Sequence, residues 1–229
     1  MWKHFWRLFV QNSCYACGRE LTLQERCICL GCLSQIPPTQ HEQDFCANEL
    51  YMKFAGKVPL AGAYSMFYFE KKGRLQKIMQ QLKYERAPQI GIFLGELLAT
   101  RLQGSPFLEG VEALIPVPLH KRKHIHRGYN QSERIATGMS KVLGISVEAN
   151  CLGRRVFTQT QTAMSRDERW ENVKAAFEVL KPPQAAHVLL IDDVITTGAT
   201  LEACIRSLLA CASPPERISI ASVGLAKNI

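Results

Sequence analysis

VLLIDDVITTGAT, residues 188–200, sets two adjacent aspartates after an aliphatic run and follows them with threonines around a glycine. Val188, Leu189, Leu190 and Ile191 show no polar alternation, which fits a strand buried on both faces of a parallel sheet. Asp192 and Asp193 then stand at its carboxyl end, where the loops of an open α/β sheet diverge and leave a crevice for ligands. Successive strand residues point to opposite faces, so both carboxylates reach one ligand only if the strand stops there. Thr196, Thr197 and Gly198 provide that stop.

Beyond the turn, Leu201, Cys204, Ile205, Leu208 and Leu209 recur at helical spacing, so Thr196, Thr197, Gly198, Ala199 and Thr200 lie between a strand and a helix amino terminus. Unpaired amides and the positive end of the helix dipole make such a turn an anion site, and a glycine lets the backbone approach closely. The turn has no lysine and no Gly-Lys-Ser/Thr, which excludes a Walker-type loop. Carboxylates repel a phosphate, so they face another part of the ligand. A sugar with free hydroxyls that itself carries a phosphate satisfies both halves.

The rest of the chain supplies the alternation of strands and helices that such a fold requires. Residues 61–69 predict a strand. Leu75, Ile78, Met79 and Leu82 mark an amphipathic helix, and a second helix is expected over 92–102. ALIPVPLHKRKHIHRGYNQSERIA then predicts a buried strand over 113–117, a basic loop, and a helix with Ile135, Met139 and Leu143 on one face. The loop gathers Lys121, Arg122, Lys123, His124, His126 and Arg127, with Tyr129, Asn130 and Gln131 adding hydrogen bonding and a stacking ring. Arginine forks suit the oxygens of a diphosphate. A positive path beside an aromatic ring equally suits single-stranded nucleic acid. Further on, TQTAMSRDERWENVKAAF carries Thr160, Gln161, Arg166, Arg169 and Asn172, and reads either as a lid over the reacting centre or as a surface helix start anchored by Trp170 and Phe177.

Five of the nine cysteines fall in CYACGRELTLQERCICLGC. Cys14 and Cys17 form one C-x-x-C, and Cys29 and Cys32 another. Two such knuckles suit a closed tetrahedral zinc site of the structural type, with no position left for a catalytic water. Cys27 is the surplus thiol, and the C-x-C-x-x-C run makes it an alternative to Cys29. Little periodicity and Pro37-Pro38 follow, so residues 1–59 are expected to form this module and a tether, and 60–229 the main domain.

At 229 residues, 47% of them hydrophobic, the chain can bury one good core and a small extra module. No apolar run is long enough to span a bilayer. The opening MWKHFWRLFV is too short for a secretory signal. Its Trp2, Phe5, Trp6 and Phe9 share a helical face that is expected to pack on its own domain, with at most a peripheral touch on a membrane. Cytoplasmic residence is the default expectation. A net charge of +8 suits a polyanionic partner.

VLLIDDVITTGAT resembles the signature of the type I phosphoribosyltransferases. That resemblance implies an α/β parallel sheet flanked by helices and a site for phosphoribosyl pyrophosphate. Asp192 and Asp193 then hold the ribose hydroxyls, and Thr196, Thr197, Gly198, Ala199 and Thr200 the 5-phosphate. The order of two cysteine knuckles, IPVPLHKRKHIHRGYNQSE, TQTAMSRDERWENVKAAF and IDDVITTGAT is similar to that of the ComF family, over almost the entire chain. The family implies a cytoplasmic protein linked to DNA uptake in natural transformation, with contacts to single-stranded DNA and competence-machinery proteins.

Two functions follow from these features. As an enzyme, the protein transfers phosphoribose to a nitrogenous acceptor, with magnesium on the diphosphate and Arg127 or Arg166 neutralising the charge that develops on it. As a binding module, it holds the sugar diphosphate or single-stranded DNA without turnover. Nothing resembles a base-specific pocket, and the acceptor is not indicated.

Overall fold

The structure, a computed structural model, describes residues 13–85, 87–154 and 177–227. Five parallel strands form one sheet in the order β1 (Gly62–Phe69), β7 (Arg217–Ala226), β6 (His187–Ile195), β2 (Ala113–Pro116) and β3 (Ser146–Val147). Strand β6 lies between β7 and β2, which explains its unbroken aliphatic run. Leu189 and Ile191 pack beneath α3 (Arg74–Tyr84), α4 (Pro88–Leu102) and α6 (Gln131–Leu143). Val188 and Leu190 pack on the other face against α7 (Ala199–Leu209). A short antiparallel pair, β4 (Leu152–Arg154) with β5 (Phe177–Val179), stands apart from the sheet.

The chain leaves β2 for β3 on one side and β6 for β7 on the other. The direction of winding therefore reverses at the β2–β6 junction, and the crevice expected of such a sheet opens at their carboxyl ends. Helices α4 and α6 cross beside this junction with their backbones in contact. A Cβ on Gly95 would lie 2.0 Å from the Ile135 carbonyl oxygen, and one on Gly138 the same distance from that of Ile92. Any larger residue would wedge the helices apart and shift the start of α6.

Two local expectations are corrected. The strand does not stop at the acidic pair: β6 runs to Ile195, with Asp192 opposite Ser222 and Val194 opposite Gly224. Each carboxylate here also accepts from the next backbone amide, Asp193 N–H to Asp192 Oδ1 at 2.8 Å and Val194 N–H to Asp193 Oδ1 at 2.6 Å. The basic segment is not a loop but a short helix, α5 (Lys121–Arg127). His120 Nδ1 caps its start by accepting from Arg122 N–H, and Gly128 ends it in the left-handed conformation at φ 80°. Lysine and arginine are good helix formers, and the cations of the last turn face the negative end of the dipole.

Ahead of the sheet, bridges Ser13–Glu20 and Arg26–Ile28 shape the cysteine-bearing turns, followed by α1 (Leu30–Leu33) and α2 (Glu49–Met52). The segment after Pro37 lies along β1: Tyr68 N–H donates to Pro37 C=O at 2.8 Å and Thr39 N–H to Met66 C=O at 3.3 Å. The tether thus covers an edge that would otherwise expose unpaired backbone groups.

Candidate functional site

At the carboxyl end of β6 the two carboxylates engage different elements. Asp192 Oδ1 accepts from Ser132 Oγ, in the first turn of α6, at 3.1 Å. Asp193 Oδ2 meets Lys83 Nζ, in the last turn of α3, at 2.7 Å. Burial first, and then the charge of Asp193, push the Asp192 carboxyl up to about 7, against the opposing pull of the Asp193 amide, the Ser132 hydroxyl and the Lys83 ammonium.

Immediately downstream, Gly198 takes φ +83° and turns the chain into α7. The ladder of α7 begins with Glu202 N–H to Gly198 C=O at 2.9 Å, so the amides of Ala199, Thr200 and Leu201 lie outside it. Thr197 Oγ1 accepts the Ala199 amide at 3.4 Å. Thr196, Thr197 and Ala199 are exposed, Thr200 is half-buried and Gly198 is buried. Together with Asp192 they line a hollow of ≈ 40 Å³, more than the roughly 10–15 Å³ that one water needs. A larger cavity of ≈ 530 Å³ lies between Tyr51 and Leu60, walled by Phe54, Ala55, Val58 and Pro59 together with Tyr51 and Lys57.

After β2 the same crevice meets α5. Lys121, Arg122, Lys123, His124 and His126 are exposed along it, and Arg127 is half-buried. The Arg127 guanidinium lies 5.5 Å from the centre of the Tyr84 ring and donates to Gln131 Oε1 at 2.8 Å. Tyr129 is buried and its hydroxyl donates to the Leu82 carbonyl, which corrects the expectation of a stacking ring at that position. Asn130 caps α6, accepting from Ser132 N–H at 3.1 Å and donating to Val117 C=O at 2.9 Å. Gln131 is buried, and its Nε2 has no partner among the described residues. Thr160, Gln161, Arg166, Arg169, Trp170 and Asn172 lie outside the described residues, as does the opening aromatic stretch.

The four expected thiols converge. The sulfurs of Cys14, Cys17, Cys29 and Cys32 lie within 4.8 Å of one another, with 3.8 Å between those of Cys17 and Cys29. Four sulfurs about 2.3 Å from a central zinc stand roughly 3.8 Å apart, so the donor set is compatible with a structural zinc. Backbone amides of Cys29 and Cys32 point at the sulfurs of Cys14 and Cys29, each at 3.3 Å, as suits thiolates. Cys27 faces away toward the Gln89 carbonyl, 3.8 Å off, and burial pushes its thiol up to about 11. The choice between Cys27 and Cys29 therefore falls to Cys29.

Sequence reasoning missed Lys83, Tyr84 and Ser132. Lys83 and Tyr84 simply close a helical period, where a lysine is unremarkable, and Ser132 follows a cap residue. Only folding brings them to the acidic pair and the basic helix.

No family model matches the chain. Competence protein F of Haemophilus influenzae is 30% identical over 214 residues, which cover 84% of this chain and 89% of that protein. DNA utilization protein YhgH is 33% identical in Shigella flexneri and 32% in Escherichia coli K12, over 138 residues that cover 59% of this chain and 61% of each relative. The match thus spans less than two thirds of the length of YhgH.

Proposed function

This chain belongs to the ComF family, and from that we propose that it binds phosphoribosyl pyrophosphate at the carboxyl ends of β2 and β6 and serves DNA uptake in natural transformation. One arrangement supports the proposal: the Asp192 carboxylate and then a left-handed turn into helix amides outside the ladder, around one small polar hollow. Asp192 accepts from the ribose hydroxyls, while Thr196, Thr197, Gly198, Ala199 and Thr200 supply amides and hydroxyls to the 5-phosphate; Asp193, which the continuing strand turns to Lys83, joins at the ribose where the strand end shifts on binding. Arg127, held by Tyr84 and Gln131, retains free guanidinium donors for the diphosphate.

If the site turns over, the electron pair of the anomeric C–O bond leaves with the diphosphate, and the task of the protein is to stabilise that charge and exclude water. Magnesium would come with the diphosphate and offset its charge, with Asp192 and Asp193 the carboxylates at this end of β6. In the cysteine module, covering residues 1–59 beside a main domain of 60–229, Cys14, Cys17, Cys29 and Cys32 hold a structural zinc. Cytoplasmic residence belongs to the same proposal. Among the described residues no helix is long and apolar enough to cross a membrane.

A second, non-catalytic reading is favoured by α5, whose exposed cations form a path that single-stranded DNA can follow, with competence-machinery proteins docking alongside. Calorimetry with phosphoribosyl pyrophosphate and magnesium, followed by assay of diphosphate release on adding purine and pyrimidine bases, separates the readings. Binding with release supports a phosphoribosyltransferase, and binding without release supports a module that senses or holds its ligand. No binding removes the sugar-phosphate site altogether.

A further inference from the structure

We propose that the ≈ 530 Å³ cavity in the turn after α2 is a second binding site, for a small anionic molecule with an aromatic or aliphatic body, and that its occupant steadies the turn at Gly198 from behind. The volume falls within the roughly 300–1,000 Å³ of small-ligand sites. Tyr51 and Phe54 supply rings, and Val58, Pro59 and Leu60 an aliphatic wall. Lys57 is exposed at the rim and brings the one formal charge among the described residues that line the cavity. No carboxylate stands in that lining to neutralise it. A ligand that buries an apolar body and leaves an anion at the mouth satisfies both wall and ammonium, whereas a cation meets repulsion there. Bonds to neighbouring elements fix the shape. Asn48 sets the start of the turn, accepting from Tyr51 N–H at 2.9 Å and donating to Ala63 C=O of β1 at 2.8 Å. Lys57 and Val58 N–H both donate to Phe54 C=O, at 2.9 and 3.2 Å, and Tyr51 Oη donates to Leu60 C=O at 3.4 Å.

Two contacts join this cavity to α7. Phe54 is buried, lines the cavity, and lies so close to Gly198 that a Cβ there would stand 2.8 Å from its ring. About two helical turns further along, Arg206 donates to the Lys57 carbonyl at 3.0 Å while paired with Glu202 at 2.9 Å. A body seated against Phe54 opposes withdrawal of the ring from Gly198, so the turn keeps the shape that presents the amides of Ala199, Thr200 and Leu201. Holding a site in its binding shape lowers the cost of ordering it when its own ligand arrives. This coupling rests on the reading of that turn as the sugar-phosphate site. Linkage makes the effect mutual, so phosphoribosyl pyrophosphate must tighten the cavity's ligand by the same factor.

Calorimetry on the full chain tests this with 1-naphthoate as the probe and 1-naphthalenemethanol as its uncharged counterpart. The acid should bind at one site and more tightly than the alcohol. Lys57→Glu should weaken the acid severalfold and leave the alcohol nearly unchanged, because the Lys57 side chain is exposed and Arg206 uses only its carbonyl. Ala55→Trp, at an exposed position of the wall, should block both probes. With magnesium present, 1-naphthoate and phosphoribosyl pyrophosphate should each tighten the other by the same factor, about fivefold or more. No saturable binding of 1-naphthoate, or binding that either variant leaves unchanged, would overturn the site. Cavity binding that leaves phosphoribosyl pyrophosphate affinity unchanged or weaker would overturn the coupling. If the protein takes 1-naphthoate in a Lys57-dependent way but never binds phosphoribosyl pyrophosphate, the sugar-phosphate reading falls, and the coupling with it, while the cavity site stands.

Discussion

Asp192 holds its carboxyl where ionisation is unfavourable, pushed up to about 7 by burial and then by the charge of Asp193. An aspartate in the unfolded chain titrates near 3.9, so the folded state binds this proton more tightly. Stability from the protonated form is fully present below about pH 4 and is lost as pH rises through about 7. Asp192→Asn keeps an oxygen for Ser132 and for the Asp193 amide without the charge. We predict that it raises the melting temperature by a few degrees at pH 8 and gives no gain at pH 4. Thermal scans across that range check it, and an equal effect at both ends would mean that the carboxyl is not held protonated. Gly198 makes a second test. Its φ of +83° disfavours any branched side chain, and a Cβ would stand 2.8 Å from the Phe54 ring. Gly198→Val should therefore both weaken phosphoribosyl pyrophosphate binding tenfold or more and lower the melting point. Full affinity in calorimetry would place the phosphate elsewhere. The acidic pair and the turn were legible in the sequence because they are contiguous. Lys83 and Phe54 were not, since each comes from an element more than a hundred residues away in the chain.

Among the elements, α5 shows how charge can hide a helix. Six cationic or titratable side chains in seven residues read as a loop, yet His120 and Gly128 were already the cap and the stop. Lys121, Arg122 and Lys123 are exposed cations on the helix, whereas Arg127 turns back to Tyr84 and Gln131. This division separates two roles that the sequence had merged. Arg122→Ala with Lys123→Ala should weaken single-stranded DNA binding and flatten its dependence on log salt by about 1.4, near 0.7 for each phosphate no longer neutralised. Phosphoribosyl pyrophosphate affinity should change far less, because Arg127 remains. Titrations at several salt concentrations decide it, and an unchanged slope would move the DNA to another surface. Elsewhere the expected helices formed because their apolar periods were clean: Leu75, Ile78, Met79 and Leu82 are all buried on α3. The glycine crossing of α4 and α6 was invisible, because a glycine's neighbour across a helix pair leaves no local pattern.

For the molecule as a whole, the relation between the cysteine module and the sheet is set by packing. Cys14, Leu21, Ile28, Cys29, Cys32 and Ile36 belong to the same buried cluster as Leu75, Ile90 and Leu94 of α3 and α4. Polar interactions reinforce the join: Arg26 meets Glu96 at 2.9 Å, and Arg74 Nε donates to Gln35 Oε1 at 3.1 Å. Read from the sequence, the later strands have a core of their own, so loss of metal is expected to unfold only the amino-terminal module. The shared cluster argues otherwise, because unfolding those turns would open α3 and α4 to water, and α3 carries Lys83 and Tyr84 to the candidate site. Removal of metal should therefore lower the melting temperature of the entire chain and weaken ligand binding at a distance from the thiols. Cys29→Ser should abolish zinc retention, whereas Cys27→Ser should retain about one zinc per chain, since the Cys27 sulfur faces Gln89 rather than the cluster. Metal analysis of protein purified without chelators, with thermal unfolding of both variants, tests the two claims together. If Cys29→Ser loses its metal but melts like the unmodified protein, the module is an appendage. If its melting point falls with its zinc, the four thiolates stabilise the helices that position Lys83 against Asp193.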